Sequence, residues 1–331
     1  MTLKSKITLI LLCVFILYGV VDFGIQRFII FPSFLALERE EAITDVKRSV
    51  EALQREIHFL DFLVWDWAAW DDTYEFIETR SDAYIKANLI LETFADDDLN
   101  VLYFADTSGK VIWGETRDRQ TEITHLPEFP RDALPANHPL LSYKRQNKPL
   151  AGVKIAGVYN TRKGPMLISS RPILTGQSEG PIRGSVIIGK YLTDKIIKKL
   201  VEQTQVDFQI FPIMNGALPE PLKNIPNRIT DESRYLIESS SADYVDAYTT
   251  LSDIKGDAAL LLKAKILKNI SARGYASMHY AMYSFLAAGF GVLIVIFLLL
   301  RFLVFGPIKD FTIRIHSGGM PSHFQTRQTR L

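Results

Sequence analysis

Cysteine is nearly absent from this sequence: Cys13 is the only one in 331 residues, and it lies inside an apolar run. A lone thiol closes no intrachain disulfide, and a chain of this length needs none to hold a core, so Cys13 reads as a packed apolar residue. An excess of charge is also lacking. There are 38 Lys and Arg against 37 Asp and Glu, a formal net of +1, which removes the usual basis for a nucleic-acid partner. Metal-ligand spacing is missing too. His58, His125, His138, His279, His316 and His323 are scattered with no pair at i, i+4. Asp96-Asp97-Asp98 lacks the spacing of a calcium loop and reads as a solvated turn. Gly176-Gln177-Ser178-Glu179-Gly180 fits the G-x-S-x-G string of serine hydrolases. That motif needs a helix after the serine, whereas Pro181 and a strand pattern follow here. No catalytic residue, metal or cofactor is expected, and the chain is read as a non-enzyme.

Long apolar runs are present. The first is uncharged from Ile7 to Val21, is interrupted by Asp22, and resumes from Phe23 to Ile30 around Arg27. No small-x-small cleavage pattern follows it, so it reads as an uncleaved anchor with Asp22 to Arg27 near the outer interface. The second run, Ala281 to Leu300, is twenty residues without a charge, the length that crosses a hydrocarbon layer of about 30 Å. Lys4 and Lys6 precede the first run; Arg301, Lys309 and Arg314 follow or close the second. Both flanks are basic, which predicts cytoplasmic termini and a periplasmic middle in a bacterial inner membrane. Ser284, Ala287, Ala288 and Gly291 offer a small-residue stripe for helix approach.

Between the runs, Ile43, Val46, Val50, Leu53, Ile57, Leu60, Val64 and Trp67 recur in steps of three and four. This heptad seam predicts a long helix whose stripe buries against the body of the domain between the runs, a second copy, or both. Glu38 and Glu56 are assigned, with the other charges, to its outer faces. Extending the rhythm puts Asp71 and Tyr74 on the stripe. Asp71 is then either a capped, partly solvated acid or one aimed into a ligand pocket. Alternation follows. Asn100 to Asp106 and Lys110 to Thr116 predict a hairpin, and Leu150 to Asn160, Met166 to Leu174 and Ser185 to Leu192 predict three more strands. Thr193 to Gln203 reads as a helix. Val206 to Met214 and Ala258 to Ile266 read as strands of a smaller lobe, with an irregular stretch between them.

Trp65 to Ile77 is the least generic segment, with three tryptophans and three aspartates in its first eight residues. Acids beside aromatics suit cationic or amphipathic small ligands. Trp70-Asp71-Asp72-Thr73-Tyr74-Glu75-Phe76, then Ser170-Arg171-Pro172-Ile173-Leu174, then Gly184-Ser185-Val186-Ile187-Ile188-Gly189-Lys190-Tyr191-Leu192, resemble in order the signature blocks of the fourth class of CHASE domain. The resemblance covers roughly Ile43 to Leu200. It implies a Cache/PAS-like extracellular sensor of the kind that precedes a HAMP linker and a kinase, cyclase or phosphodiesterase. Gly306-Pro307-Ile308 resembles a HAMP opening, but Gly318-Gly319 and Pro321 then break any helix, and no kinase or cyclase motif appears.

The expected fold is therefore α+β. A long N-terminal helix packs on a PAS-like antiparallel sheet, Cache-like with a smaller second lobe, between two transmembrane helices. The expected layout is a cytoplasmic N-terminus (1–6), a transmembrane helix (7–31), a sensor domain (34–204), a second lobe with the final helix (205–278), a transmembrane helix (279–304) and a short tail with a truncated HAMP-like start (305–331). The expected ligand-binding set is Asp66, Trp67, Trp70, Asp71, Tyr74, Tyr103, Tyr159, Arg171 and Tyr191. Arg171 either bridges to Asp71 or Asp66 or grips a ligand carboxylate, and the tyrosines share its face of the sheet. The chain reads as a receptor subunit, expected to be a homodimer, that senses a small molecule and signals to a separate or lost effector. The other reading is a membrane interaction subunit that modulates a full-length receptor kinase or diguanylate cyclase.

Overall fold

The structure is a computed structural model, and it describes residues 3–118, 122–135, 137–141, 149–214 and 218–305. The HAMP-like opening at Gly306 and the rest of the tail lie outside the described residues. The chain divides into two compact units. One, Met1–Glu38 with Asn269–Leu331, is helical over its described residues; the other, Arg39–Lys268, holds both sheets.

In the helical unit, α1 (Leu3–Ile25) passes through a π turn (Gln26–Ile30) into α2 (Phe31–Ala68). The wide turn sits directly before Pro32. A proline cannot donate to the carbonyl one turn back, and a π turn absorbs the missing bond. The other partner is α7 (Asn269–Leu299). Each helix carries a stretch long and apolar enough to cross a membrane. Phe15 stacks on Phe285 with ring centroids 6.2 Å apart. The close approaches are at Gly289, facing Phe15, and Gly274, facing Phe34, where a β-carbon would collide with the ring. The small-residue stripe does not make this contact: Gly291 has open space beside it. Glu38, expected on an outer face, is buried, and its carboxylate accepts from the Ser271 backbone N–H in the first turn of α7 (3.3 Å). A negative charge is favourable at that end of a helix. Cys13 is exposed on α1 rather than packed.

In the unit that holds the sheets, the stripe of α2 is buried within the chain itself. Val46, Leu53, Leu60 and Val64 are buried, and Val50, Ile57 and Trp67 pack against the same core. Each fully buried side chain of this size contributes about 1.5–3 kcal/mol. That core joins α2 to residues of both sheets, among them Phe104, Ile188, Phe208 and Leu262. Short helices α3 (Asp71–Thr79), α4 (Asp82–Asn88) and α5 (Leu91–Asp96) lead to the first strand.

The first sheet comprises β1 (Val101–Asp106), β2 (Val111–Asp118), β3 (Glu122–Ile123), β4 (Ile155–Thr161), β5 (Gly164–Ile173) and β6 (Gly184–Tyr191). Its order is β3-β2-β1-β6-β5-β4, and every pairing is antiparallel. The expected α+β layout of a long helix on an antiparallel sheet is what the chain adopts. Leu150 to Gly152 form a 3-10 turn, so the fourth strand starts later than its apolar run. The Gly176–Gly180 motif lies in the β5–β6 hairpin loop, with no helix after it.

Next comes α6 (Asp194–Thr204), with Thr193 accepting from the Ile196 N–H as its cap. The second lobe is a four-stranded sheet, β7-β10-β9-β8, built from β7 (Asp207–Pro212), β8 (Leu236–Ser239), β9 (Tyr244–Ser252) and β10 (Ala258–Leu267). The stretch expected to be irregular thus holds two strands. In β9, residues Val245 to Thr249 are consecutively buried, so its sequence shows no alternation. The two lobes meet where the Ile254 N–H donates to the Val158 carbonyl (3.0 Å).

Candidate functional site

The Trp65–Ile77 segment does not continue the helical stripe. α2 stops at Ala68, Trp70 is extended (φ −128°, ψ 128°), and Asp71 opens α3. Asp71 and Asp72 occupy the first turn of α3, where acids are favourable. The break frees the Ala68 carbonyl to accept from the Leu174 N–H (2.9 Å). Asp71 Oδ1 accepts from the Gly176 N–H (2.8 Å), and the Tyr74 hydroxyl donates to the Pro181 carbonyl (3.1 Å). The Arg183 guanidinium lies 3.8 Å from the Tyr74 ring centroid; it also donates to the Tyr74 carbonyl and pairs with Glu78. These contacts clamp the β5–β6 loop onto α3.

Trp67 packs against the core, while Trp65 and Trp70 keep exposed surface. Trp67 lies 6.0 Å from Phe104 and 6.3 Å from Trp70, and Trp70 lies 5.8 Å from Tyr84, centroid to centroid. Tyr84 stacks on Phe76 at 4.4 Å, and its hydroxyl is 2.6 Å from Thr73 Oγ1. Burial pushes the Tyr84 hydroxyl up to about 12. Asp66 is exposed.

Arg171 pairs with neither Asp66 nor Asp71. Its partner is Asp61, which is 1% exposed. Arg171 Nε donates to Asp61 Oδ1 and its terminal nitrogen to Oδ2, both at 2.8 Å. Lys154 Nζ adds a bond to Oδ2 (2.7 Å), and Ser169 Oγ one to Oδ1 (2.9 Å). Burial alone would raise the Asp61 carboxyl. The hydrogen bonds from Arg171 and Lys154, the Arg171 charge and the Ser169 hydroxyl outweigh it and hold it below the ordinary 3.8. Glu56, expected on an outer face, is a second buried acid of α2. Lys190 of β6 (3.3 Å) and Lys199 of α6 (3.0 Å) reach it, and together they overcome burial to lower its pKa. The sequence pattern missed both acids because it marks apolar positions. Their partners lie 93 to 143 residues away, so no local spacing announces them.

Tyr103, Tyr159 and Tyr191 do come together, but on the opposite face from Arg171. Side chains alternate along a strand, and Arg171 falls with Leu167 and Ser169 on the α2 side, whereas Met166 and Ile168 face away. Tyr103 and Tyr159 belong to the core of that far face, and Tyr191 packs against it. Residues of the 126–140 loop cover them: the Tyr103 hydroxyl donates to the Phe129 carbonyl (2.8 Å), and Phe129 and His138 lie near Tyr159. Glu128 Oε2 and Asn160 Oδ1 are buried there without a hydrogen-bond partner among the described residues. Burial, with Asp118 nearby, pushes the Tyr191 hydroxyl up to about 12, and burial lowers the His138 pKa, favouring neutral imidazole. Six of the nine expected residues thus fall into three separate constellations: Asp71 and Tyr74 in the α3 clamp, Arg171 in the Asp61 node, and Tyr103, Tyr159 and Tyr191 on the tyrosine face; Trp67 and Trp70 make the aromatic contacts above, and Asp66 joins none of these.

A long helix on an antiparallel sheet is the arrangement the resemblance implied. Residues 52–211 match the family model of the CHASE4 domain. This segment is a CHASE4 domain. Its limits fall inside α2 and at the end of β7, so most of the second lobe lies beyond the match. The chain is 25% identical over 271 residues to the methanogenesis regulatory histidine kinase FilI of Methanothrix harundinacea (strain 6Ac). That alignment covers 80% of this chain and 29% of the relative, so the chain spans under a third of that protein's length. Among solved structures, it is similar to the extracellular domain of vpHK1S-Z8 (TM-score 0.47, 12% identity, 73% of this chain and 95% of that one). It is also similar to the sensor domain of the histidine kinase DctB of V. cholerae (TM-score 0.38, 11% identity, 70% and 98%).

Proposed function

We propose that the chain is the receiving part of a transmembrane receptor, which binds a small molecule outside the inner membrane and passes the signal to a cytoplasmic effector. The observation that carries this reading is the CHASE4 domain's position in the chain, between two helices each able to cross a membrane. α2 leads into the domain, and β10 runs directly into α7, so both membrane helices are covalent extensions of sensor elements. A ligand that favours one arrangement of these elements over another shifts the equilibrium by its differential affinity. The termini face the cytoplasm, the sensor unit itself carries out no chemistry, and the effector is a histidine kinase or a cyclase.

The receptor works as a homodimer. Its heptad stripe is buried within the chain, which leaves a different face of α2 for self-association. Phe59, Phe62 and Trp65 are exposed there at 63%, 51% and 39%. Disulfide cross-linking of Phe62→Cys in membranes, in a Cys13→Ser background, is expected to give a covalent dimer; its absence counts against this interface.

The test of the receptor reading is a chimera. Residues 1–305 are fused to the kinase region of the Methanothrix relative, and autophosphorylation is followed in vesicles against amino acids, organic acids, polyamines and nucleobases. A dose-dependent change that is lost when the sensor unit is deleted supports a receptor. A constant signal against every compound refutes it and favours a subunit that acts on another receptor.

A further inference from the structure

A cleft of about 1070 Å³ opens between α2, β4 and the second lobe, away from all three constellations except at Asp61. Its volume is of the size that receives a small ligand. Ile57 of α2 and Leu251 of β9 give it an apolar lining, and Lys154 and Arg234 supply positive charge from the first and second lobes. Lys47 lies just beyond, 5.7 Å from the ring centroid of Tyr235, another lining residue.

Two acids line the same space, Asp61 and Asp231. Asp61 does not act as an acceptor for a ligand cation. Both its oxygens already accept two bonds each, from Arg171 and Ser169 and from Arg171 and Lys154. One carboxylate thus faces two cations, Arg171 and Lys154, and the Lys154 side chain keeps 40% of its surface exposed. Arg234 makes no ion pair among the described residues, and its backbone is fixed because Thr249 Oγ1 donates to its carbonyl (2.9 Å). Counted with Arg171, which meets Asp61, three cations stand against two acids among the described residues, and Lys154 and Arg234 come from different lobes.

We propose that this cleft binds a small anion bearing one or two carboxylate or phosphate groups, held between Lys154 and Arg234 with its apolar body on Ile57 and Leu251. The proposal deepens the receptor reading and rests on it. Such a ligand bridges α2, which leads in from the first membrane segment, and β9, which pairs with β10 ahead of α7. Holding the two walls together is the differential contact a signal requires.

The experiment uses the full chain in phosphatidylcholine nanodiscs. Orthophosphate, succinate and citrate are titrated by calorimetry and thermal shift, with putrescine as a cationic control. At least one anion is expected to bind and raise the melting temperature, while putrescine does neither. Arg234→Gln is expected to weaken that anion about tenfold or more, as loss of a charge-assisted pair does. Lys223→Gln, an exposed charge outside the cleft, is expected to leave binding unchanged. Binding that is equal in Arg234→Gln, or no binding of any of the three anions to the unaltered chain, overturns the proposal. If the chimera above still answers to a compound that is not an anion, the cleft assignment falls and the receptor reading stands.

Discussion

The two faces of the six-stranded sheet are held by different physics. On the α2 face, two buried acids of one helix, Glu56 and Asp61, are tied to cations on β5, β6, α6 and the approach to β4. On the far face, tyrosines lie under a loop that brings Phe129 against them, joined to it by neutral hydrogen bonds such as that of Tyr103 to the Phe129 carbonyl. Charge fixes the register of the long helix against the sheet, because each buried carboxylate is satisfied in one position only. Neutral aromatic packing covers a surface without that demand. The face that leads to the membrane is the one locked by ion pairs.

Breaking Asp61 gives the sharpest test of this contrast. Asp61→Ala strands Arg171 and Lys154 at the helix–sheet contact and is expected to cost about 3–5 kcal/mol, read as the urea midpoint of the sensor unit. Acid does the same without mutation. Glu56 and Asp61 have folded pKa values below their ordinary 4.5 and 3.8, so their stabilisation is present above those values and is lost as pH falls through the lower folded ones. Asp61→Asn is expected to flatten that acid limb in a pH series of melting temperatures; an unchanged limb places the acid sensitivity elsewhere. The far face responds at the other extreme. Tyr103 and Tyr191 sit at about 12, so their neutral forms support the fold below the ordinary 10.0, and that support is lost as pH climbs through the folded value. Tyrosinate absorbance is expected to lag behind that of unfolded chain.

Smaller changes sharpen the comparison. Tyr103→Phe removes one hydrogen bond and is expected to cost about 1 kcal/mol by denaturant midpoint, well below Asp61→Ala. Lys199 is 58% exposed, and Lys199→Gln is expected to stay within about 1 kcal/mol, because Lys190 still holds Glu56 and an exposed partner contributes little. A large effect at Lys199 would show that the helix is fixed at Glu56 as strongly as at Asp61.

The signature segment teaches a related lesson. Its acids and aromatics read from sequence as a ligand surface; in the structure Asp71 and Tyr74 close a loop, Trp67 packs against a core, and Trp70 touches Tyr84 while keeping exposed surface. Residue type carried that expectation, and a carboxylate that caps a loop N–H looks the same in sequence as one that meets a ligand. The break at Trp70 could not be read from apolar spacing, because the rhythm passes through it while the backbone turns extended.

By itself the sequence determined what is periodic or long: two apolar runs, the α2 stripe, the alternation of the first sheet and the family blocks. These are local patterns, each enforced by the need to bury one face or span one thickness. Only the tertiary structure decided which acid Arg171 meets, that Glu38 and Glu56 turn inward, that Gly274 and Gly289 are the points of helix approach, and that the tyrosines face away from Arg171. Each of these depends on a partner distant in the chain. A side chain's spacing along its own element fixes its face, but what waits on that face is set by packing.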